Sequence, residues 1–433
     1  MTSRQKIVVA VVACLLAAAV VFALMRGGNV LFAKGWVDKE IARIKAAGEP
    51  TTMADLAGDP IPDSENAAII YAEIFDQLEK GLGRKDADVI GRFISPEERK
   101  KDPKLWQEAR SVIARHSAAL ALVEEAAARP RCRFPVQWDK GIRADFPHYA
   151  KLRNLARLLI ANAVLEARDG RMTEAVRSID LGFRLADSIK GDHTLITLFV
   201  RISIMSMTAQ SFREVASCGT IDEKPAKQLF DTLAKIDLKL GHVEALQGER
   251  AMGIWVFDEL RQGRDVLGVG GVPFPAALDT DEQFCLKQMA KQIEAARLPY
   301  RAVKSRHMEE TFDPEIPKYA LVSAILITVS TRAHLARDKA RANLALTQVS
   351  LAGEAYRDRF GSYPPTLEDL RTKLGWKLPQ DPFSGRDLGY RPEGKGFTLY
   401  SIGPDLKDDR GIRQQDPQDH EGPGDIIWKH EPQ

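Results

Sequence analysis

The sequence predicts a mainly α protein: an N-terminal transmembrane helix, a helical-hairpin body and a small C-terminal α+β module. Three observations carry this. Ala, Leu, Arg and Glu are plentiful while aromatic residues make up only 7% of the chain, a balance that favours helix over sheet. Apolar residues recur about every 3.6 positions through most of 103–360. After Gly361 the pattern changes to short Tyr-, Phe- and Ile-bearing runs separated by Gly and Pro. A chain of 433 residues is too long for one simple core. It divides on this reading into an anchor (1–25), a helical body (26–330) and the module (331–433).

The anchor is the uncharged run Ile7–Met25. At about 1.5 Å per residue it reaches about 28 Å, the thickness of a bilayer's hydrocarbon core. Arg4 and Lys6 precede it as in an export signal. An uncleaved anchor is the expectation, because the run is long for a signal peptide. A cleaved signal ending near Ala17-Ala18-Ala19 and a lipoprotein with its lipid on Cys14 are the alternatives. More basic residues follow the run (Arg26, Lys34, Lys39, Arg43, Lys45) than precede it, which by count would hold the body in the cytoplasm. Long domains translocate regardless of that count. The expected home is a bacterial cytoplasmic membrane, crossed once, with the body outside.

The body begins with a short amphipathic helix over 34–47, then a breaker-rich stretch from Gly48 to Pro62. Asp63 or Ser64 is expected to cap a helix running to about Leu78. One helix is expected over 103–128, with Trp106, Ala109, Val112, Ile113 and Leu120 on its apolar side. Arg129–Pro147 reads as a loop with an exposed Trp138. From His148 to Gly263 successive helices follow, the first two forming a hairpin broken at Gly170, with Gly182 where helices must approach closely. Leu267–Asp281 reads as a Gly/Pro loop. Tyr319–Ser330, too short to span a membrane, reads as a buried helix. The last long helix carries Ala342, Leu346, Val349, Gly353, Tyr356 and Phe360 on one face. Strands are expected at Tyr390–Arg391, Phe397–Ile402 and Asp425–Trp428.

Several function classes find no support. A net charge of +2 gives no footprint for nucleic acid. The four cysteines form no C-x-x-C pair, so neither a zinc cluster nor a redox dithiol is expected. They read as small buried hydrophobes, with one disulfide among Cys132, Cys218 and Cys285 left open. No H-e-x-x-h type metal motif occurs. His307 shares a helix face with Glu310 alone in its acidic neighbourhood, and this reads as a solvated face. Ser401 sits on a strand without the glycine frame of a nucleophile, and Gly268–Gly271 leads into Pro273 and not a helix. No catalytic residue is assigned.

The C-terminal residues carry an ordered set of motifs. Tyr356-x3-Phe360-Gly361-Ser362-Tyr363-Pro364 precedes Asp381-Pro382-Phe383-Ser384-Gly385. Then come Leu399-Tyr400-Ser401-Ile402-Gly403-Pro404-Asp405 and Asp425-Ile426-Ile427-Trp428. Over about 90 residues this resembles the globular part of the type II secretion major pseudopilin. The resemblance implies a helix packed on a small antiparallel sheet and a calcium-binding C-terminal loop, with Asp405 and Asp425 at ligand positions. The chemistry agrees. From Ser401 to the end, eight carboxylates face four basic side chains. Calcium takes six to eight hard oxygen ligands. Asp405, Asp408, Asp409 and Asp425 are the candidate set. The EF-hand spacing is absent, and the family's glycine after the first loop aspartate is Leu406 here. The pilin processing site before Ile7 is also absent, and some 300 residues separate the apolar run from the module, so assembly into a pilus is not expected. The helical remainder, with its Phe134-Pro135-Val136-Gln137-Trp138 loop, resembles uncharacterised anchored proteins of planctomycete-like bacteria, which implies no activity.

The expected function is interaction or scaffolding at the envelope, with a membrane bound through residues 7–25, protein partners on the helical body, and calcium as cofactor. A cell-surface hydrolase with a site in the body, or an accessory of a type II secretion-like system, are the alternatives.

Overall fold

The computed structural model describes residues 32–268, 275–308, 311, 314–327, 333–412, 422 and 424–430. The expected anchor, Cys14, Glu310 and the run 269–271 lie outside them.

The described residues are mainly helical. A first helix, α1, covers 32–46. Then follow α2 (Met53–Ala57), α3 (Ala67–Gly81), α4 (Arg84–Phe93), α5 (Pro96–Lys101), α6 (Leu105–Arg115) and α7 (Ser117–Ala128). The centre holds α8 (Pro147–Arg168), α9 (Met172–Ser188), α10 (Leu195–Cys218), α11 (Glu223–Ala234) and α12 (Leu238–Arg261). The rest are α13 (Pro275–Ala296), α14 (Tyr300–Ser305), α15 (Leu321–Ile327), α16 (Ala333–Phe360) and α17 (Leu367–Leu374). One three-stranded antiparallel sheet closes the chain, in the order β1 (Gly389–Glu393), β2 (Gly396–Ser401), β3 (Ile426–His430).

Local chemistry sets many of the boundaries. Asn66 caps α3 by accepting from the Ala68 amide at 3.1 Å, and Thr194 caps α10 through the Thr197 amide. Asp237 accepts from both Lys239 and Leu240 at the start of α12. Gly170 takes a left-handed turn between α8 and α9, at a φ of 79° that favours glycine. Leu152, Leu155, Leu159 and Ala163 then pack with Ala175, Ile179, Phe183 and Ala186, so the hairpin forms as the spacing predicts. Gly182 is indeed a close approach, but to α10: a Cβ there would stand 3.0 Å from the Thr208 methyl. Gly248 is more demanding, since a Cβ would fall 1.7 Å from the His193 carbonyl oxygen.

Among the described residues α10 alone is long and apolar enough to cross a membrane, but 61% of its apolar window is buried, as befits a core helix. The helix α16 touches α10 and α11 as well as β2 and β3. One continuous core therefore runs from Ala67 through α8–α12 to Phe397 and Trp428, across residue 330. Trp428 meets the Phe212 ring edge-on at 5.6 Å, and Arg213 donates to the Ile427 carbonyl at 2.8 Å.

Some expectations need correction. Trp138 is buried, not exposed: Met53 and Leu56 of α2, Ala251 and Met252 of α12, and Phe146 cover it. The expected helix 103–128 is two, broken where His116 leaves helical geometry with its ring over Gly81. Asn66, not Asp63 or Ser64, caps α3, because Asp63–Glu65 already forms a 3₁₀ turn. The loop expected to reach Asp281 ends at Pro275. The segment after Tyr319 forms α15, which is buried on one face only; residues 328–330 of the expected helix lie outside the described residues. Cys132 and Cys285 are buried, Cys218 is exposed, and none of the three is in a disulfide.

Candidate functional site

The acidic loop is built on two turns that lock together. A turn at Gly403–Leu406 is pressed against the strand entry: a Cβ on Gly403 would stand 2.8 Å from the Gly424 carbonyl oxygen. That contact sets the turn carrying Asp405 against the entry to β3. Leu406 holds a φ of 61°, in the left-handed region where glycine is favoured. Its side chain packs beside Tyr300, Ala342 and Phe383. The backbone thus keeps the conformation a glycine would take, and apolar packing opposes the strain.

The candidate carboxylates are placed as follows. Asp425 is buried, and its two oxygens accept from the Asp409 amide at 3.3 Å and the Gly411 amide at 2.6 Å. Burial pushes its pKa up to about 6, aided by the charges of Asp408 and Asp409 and opposed by those two amides. Asp405 Oδ1 accepts from the Lys407 amide, and Asp408 Oδ1 from the Arg410 amide. Asp405 Oδ2 and Asp409 Oδ2 are shielded from solvent and accept no hydrogen bond from the described residues. Among the described residues no three His, Cys, Asp or Glu side chains converge closely enough to hold a metal ion. Asp416, Asp419 and Glu421 lie outside the described residues.

Asp381 explains why its motif reads as it does. Its carboxylate accepts from the amides of Phe383 (3.1 Å), Ser384 (3.2 Å) and Ile402 (3.4 Å) and from the Ser401 hydroxyl (2.6 Å). The Asp381–Gly385 turn is thereby tied to the end of β2, and Ser401 is structural as its strand position predicts. Beside this turn lies an open cleft of about 440 Å³, walled by Arg301, Phe383, Arg386, Tyr400 and Asp408 among others. The Tyr400 ring lies over Gly389 on the neighbouring strand, where a Cβ would be 2.1 Å from it.

Three buried polar nodes escaped sequence reasoning. In the first, Arg337 is fully enclosed; it donates to the Ala296 carbonyl at 2.9 Å, lies 3.1 Å from both His242 Nδ1 and His334 Nδ1, and pairs with Asp338. Burial and the Arg337 charge press the His334 pKa down to about 4. In the second, the Tyr363 hydroxyl donates to Glu354 at 2.8 Å and lies 2.7 Å from His430 Nε2, joining α16 to β3. Burial raises the Glu354 pKa to about 7 and lowers that of His430 to about 4. In the third, Asp192 lies 3.4 Å from the Tyr149 hydroxyl and 3.6 Å from His148 Nε2, below the Phe134 ring stacked on His148. Apart from the half-buried Tyr363 their members are buried, so these groups act on one another and fix the elements that carry them. No motif or spacing in the sequence singles out the residues of these nodes.

Comparison with family models, with curated proteins and with solved structures finds no match.

Proposed function

We propose that the chain is a membrane-anchored envelope protein with an interaction or scaffolding role, in which calcium, when bound, orders the C-terminal acidic loop. The body offers helical surfaces to protein partners. The module is read as pseudopilin-like. The single observation that carries the calcium reading is the pair of shielded, unpartnered carboxylate oxygens, Asp405 Oδ2 and Asp409 Oδ2, the latter on a residue whose amide donates to the buried Asp425. Hard oxygen donors of this kind suit calcium, and the Gly403–Leu406 turn adds carbonyls nearby. Asp405, Asp409 and Asp425 would contribute ligands; Asp408, exposed and engaged with the Arg410 amide, would contribute charge. Neutralising these groups is what an ion would supply there, and its binding energy adds to folding.

Thermal unfolding of the full chain in detergent, with calcium, with magnesium and with chelator, tests this. Calcium at about a hundred times its dissociation constant should stabilise by about 2.7 kcal/mol. The upward shift should be absent in Asp405→Ala and Asp425→Ala. Superimposable curves in calcium and chelator would remove the metal from the proposal.

A further inference from the structure

We infer that the body lies with one face on the lipid surface, and that this face is made by the start of α1 and the outer side of α15. The inference rests on the anchor reading of residues 7–25. It starts from an anomaly of α15. Leu321 (69% exposed) and Ile325 (47% exposed) stand one turn apart and so share a side of the helix, and Tyr319 just before them is 51% exposed. Val322, Ser323 and Ile327 are buried on the other side. A helix with apolar residues on both faces has one face without a partner.

The position of that face identifies its occupant. The Asp281 carboxylate of α13 accepts from the amides of Val322 (2.8 Å) and Ser323 (3.1 Å), which fixes where α15 begins. The next residue, Glu282, lies within electrostatic reach of Lys34 near the start of α1. Val37 of α1 packs on Ile254 and Leu286, and Leu326 of α15 packs beside Gly253. Both helices therefore open at the same level of the α12–α13 pair. Phe32, which is 81% exposed, stands at that level. The apolar run ends at Met25, seven residues earlier. Seven extended residues reach at most about 25 Å, so the bilayer can be no farther from Phe32 than that. A lipid surface held so close by the chain itself is the nearest apolar phase available to Phe32, Tyr319, Leu321 and Ile325. Exposed Lys318 adds a cation suited to anionic headgroups, and a Tyr at the boundary sits with its ring at headgroup level.

The test uses the full chain with Cys14→Ser and Cys218→Ser, leaving only buried Cys132 and Cys285. A fluorescent label is placed at Leu321→Cys, or at Ile69→Cys on α3 as control. The protein is reconstituted in vesicles of phosphatidylcholine and phosphatidylglycerol, with and without acyl-brominated lipid. Quenching at 321 but not at 69 is expected. A chain that stays with the vesicles after an alkaline carbonate wash, yet shows no quenching at 321, overturns the docking and leaves the anchor standing. A chain stripped by carbonate overturns both. Shielding of the 321 label in native membranes without quenching in pure lipid assigns the face to a protein and overturns the inference.

Discussion

Asp338 and Glu354 lie on the same helix, α16, and both are fully buried, yet they are driven in opposite directions. Asp338 faces the helical body. Burial works against its charge, but Arg337 and Arg341 (2.9 Å) outweigh that and hold its pKa below the usual range. Glu354 faces the sheet. Burial dominates there and raises its pKa to about 7, while Arg357, 2.8 Å from Oε2, sits off the line of a hydrogen bond, and Tyr363 adds only a neutral donor. The contrast teaches that burial alone does not decide ionisation. For these two groups the difference is a guanidinium aligned on Asp338 and none aligned on Glu354; at Glu282 burial outweighs even the paired Arg261 and raises the pKa to about 7. The contrast is local to α16: elsewhere in the body Glu249 and Glu282 are also raised to about 7 by burial, as Glu354 is at the sheet.

The largest expected effect breaks the body half of this contrast. Asp338→Asn leaves Arg337 charged, buried and without its carboxylate, and should cost about 3–5 kcal/mol in denaturant unfolding at neutral pH. Because the folded Asp338 pKa is depressed, that deficit should shrink at acid pH, where the native carboxylate also protonates. A loss below about 1 kcal/mol would mean that His242, His334 and the Ala296 carbonyl suffice for Arg337.

A smaller effect sharpens the sheet half. Folded Glu354 keeps a proton that the unfolded chain gives up between its ordinary pKa of 4.5 and about 7. Its contribution therefore weakens stability as pH rises through that window. His430 acts the other way: its folded pKa of about 4 lies below the ordinary 6.5, so its contribution is lost as pH falls through the interval. The two slopes oppose each other in the native chain. Glu354→Gln removes one of them, so its stability relative to the native chain should rise by on the order of 2 kcal/mol from pH 4.5 to 7.5. Parallel pH profiles for the two proteins would contradict the raised Glu354 pKa.

The smallest effect concerns the acidic loop. Leu406→Gly relieves a left-handed cost of about 1 kcal/mol and gives up packing of similar size. A net change within about 1 kcal/mol is expected, read as a small shift in melting temperature. A loss well beyond that would show that the Leu406 contact, and not its backbone, holds the turn.

The helices with one apolar stripe were legible, as was the hairpin pivot at Gly170, because periodicity and a breaker coincide there. All three strands were found to within a few residues. The helix α17 was missed, although Thr366 caps it through the Asp369 amide at 3.3 Å and Gly375 ends it in the left-handed region. Eight residues with two buried positions simply carry too little period to register. Trp138 was misplaced because proline-rich surroundings say loop, whereas its burial depends on α2 and α12, far away in sequence. The polar nodes were invisible for a related reason: α16 is buried around most of its circumference, so no stripe separates Arg337, Asp338 or Glu354 from a solvated face. In the acidic loop the carboxylates and their crowding could be read, while the amides that hold Asp425 could not.

The last strand is also a latch on the middle of the chain. Trp428 fills the core against Phe212 of α10, over two hundred residues earlier. Synthesis proceeds from the N-terminus at roughly 5–20 residues per second, so α10 waits at least ten seconds with part of its apolar seam uncovered. The waiting helix is the same one whose length and composition would suit a bilayer. Late arrival of β3 makes the interval before chain completion the period of greatest exposure to misplacement or aggregation, and a chain ending before Trp428 would never leave it.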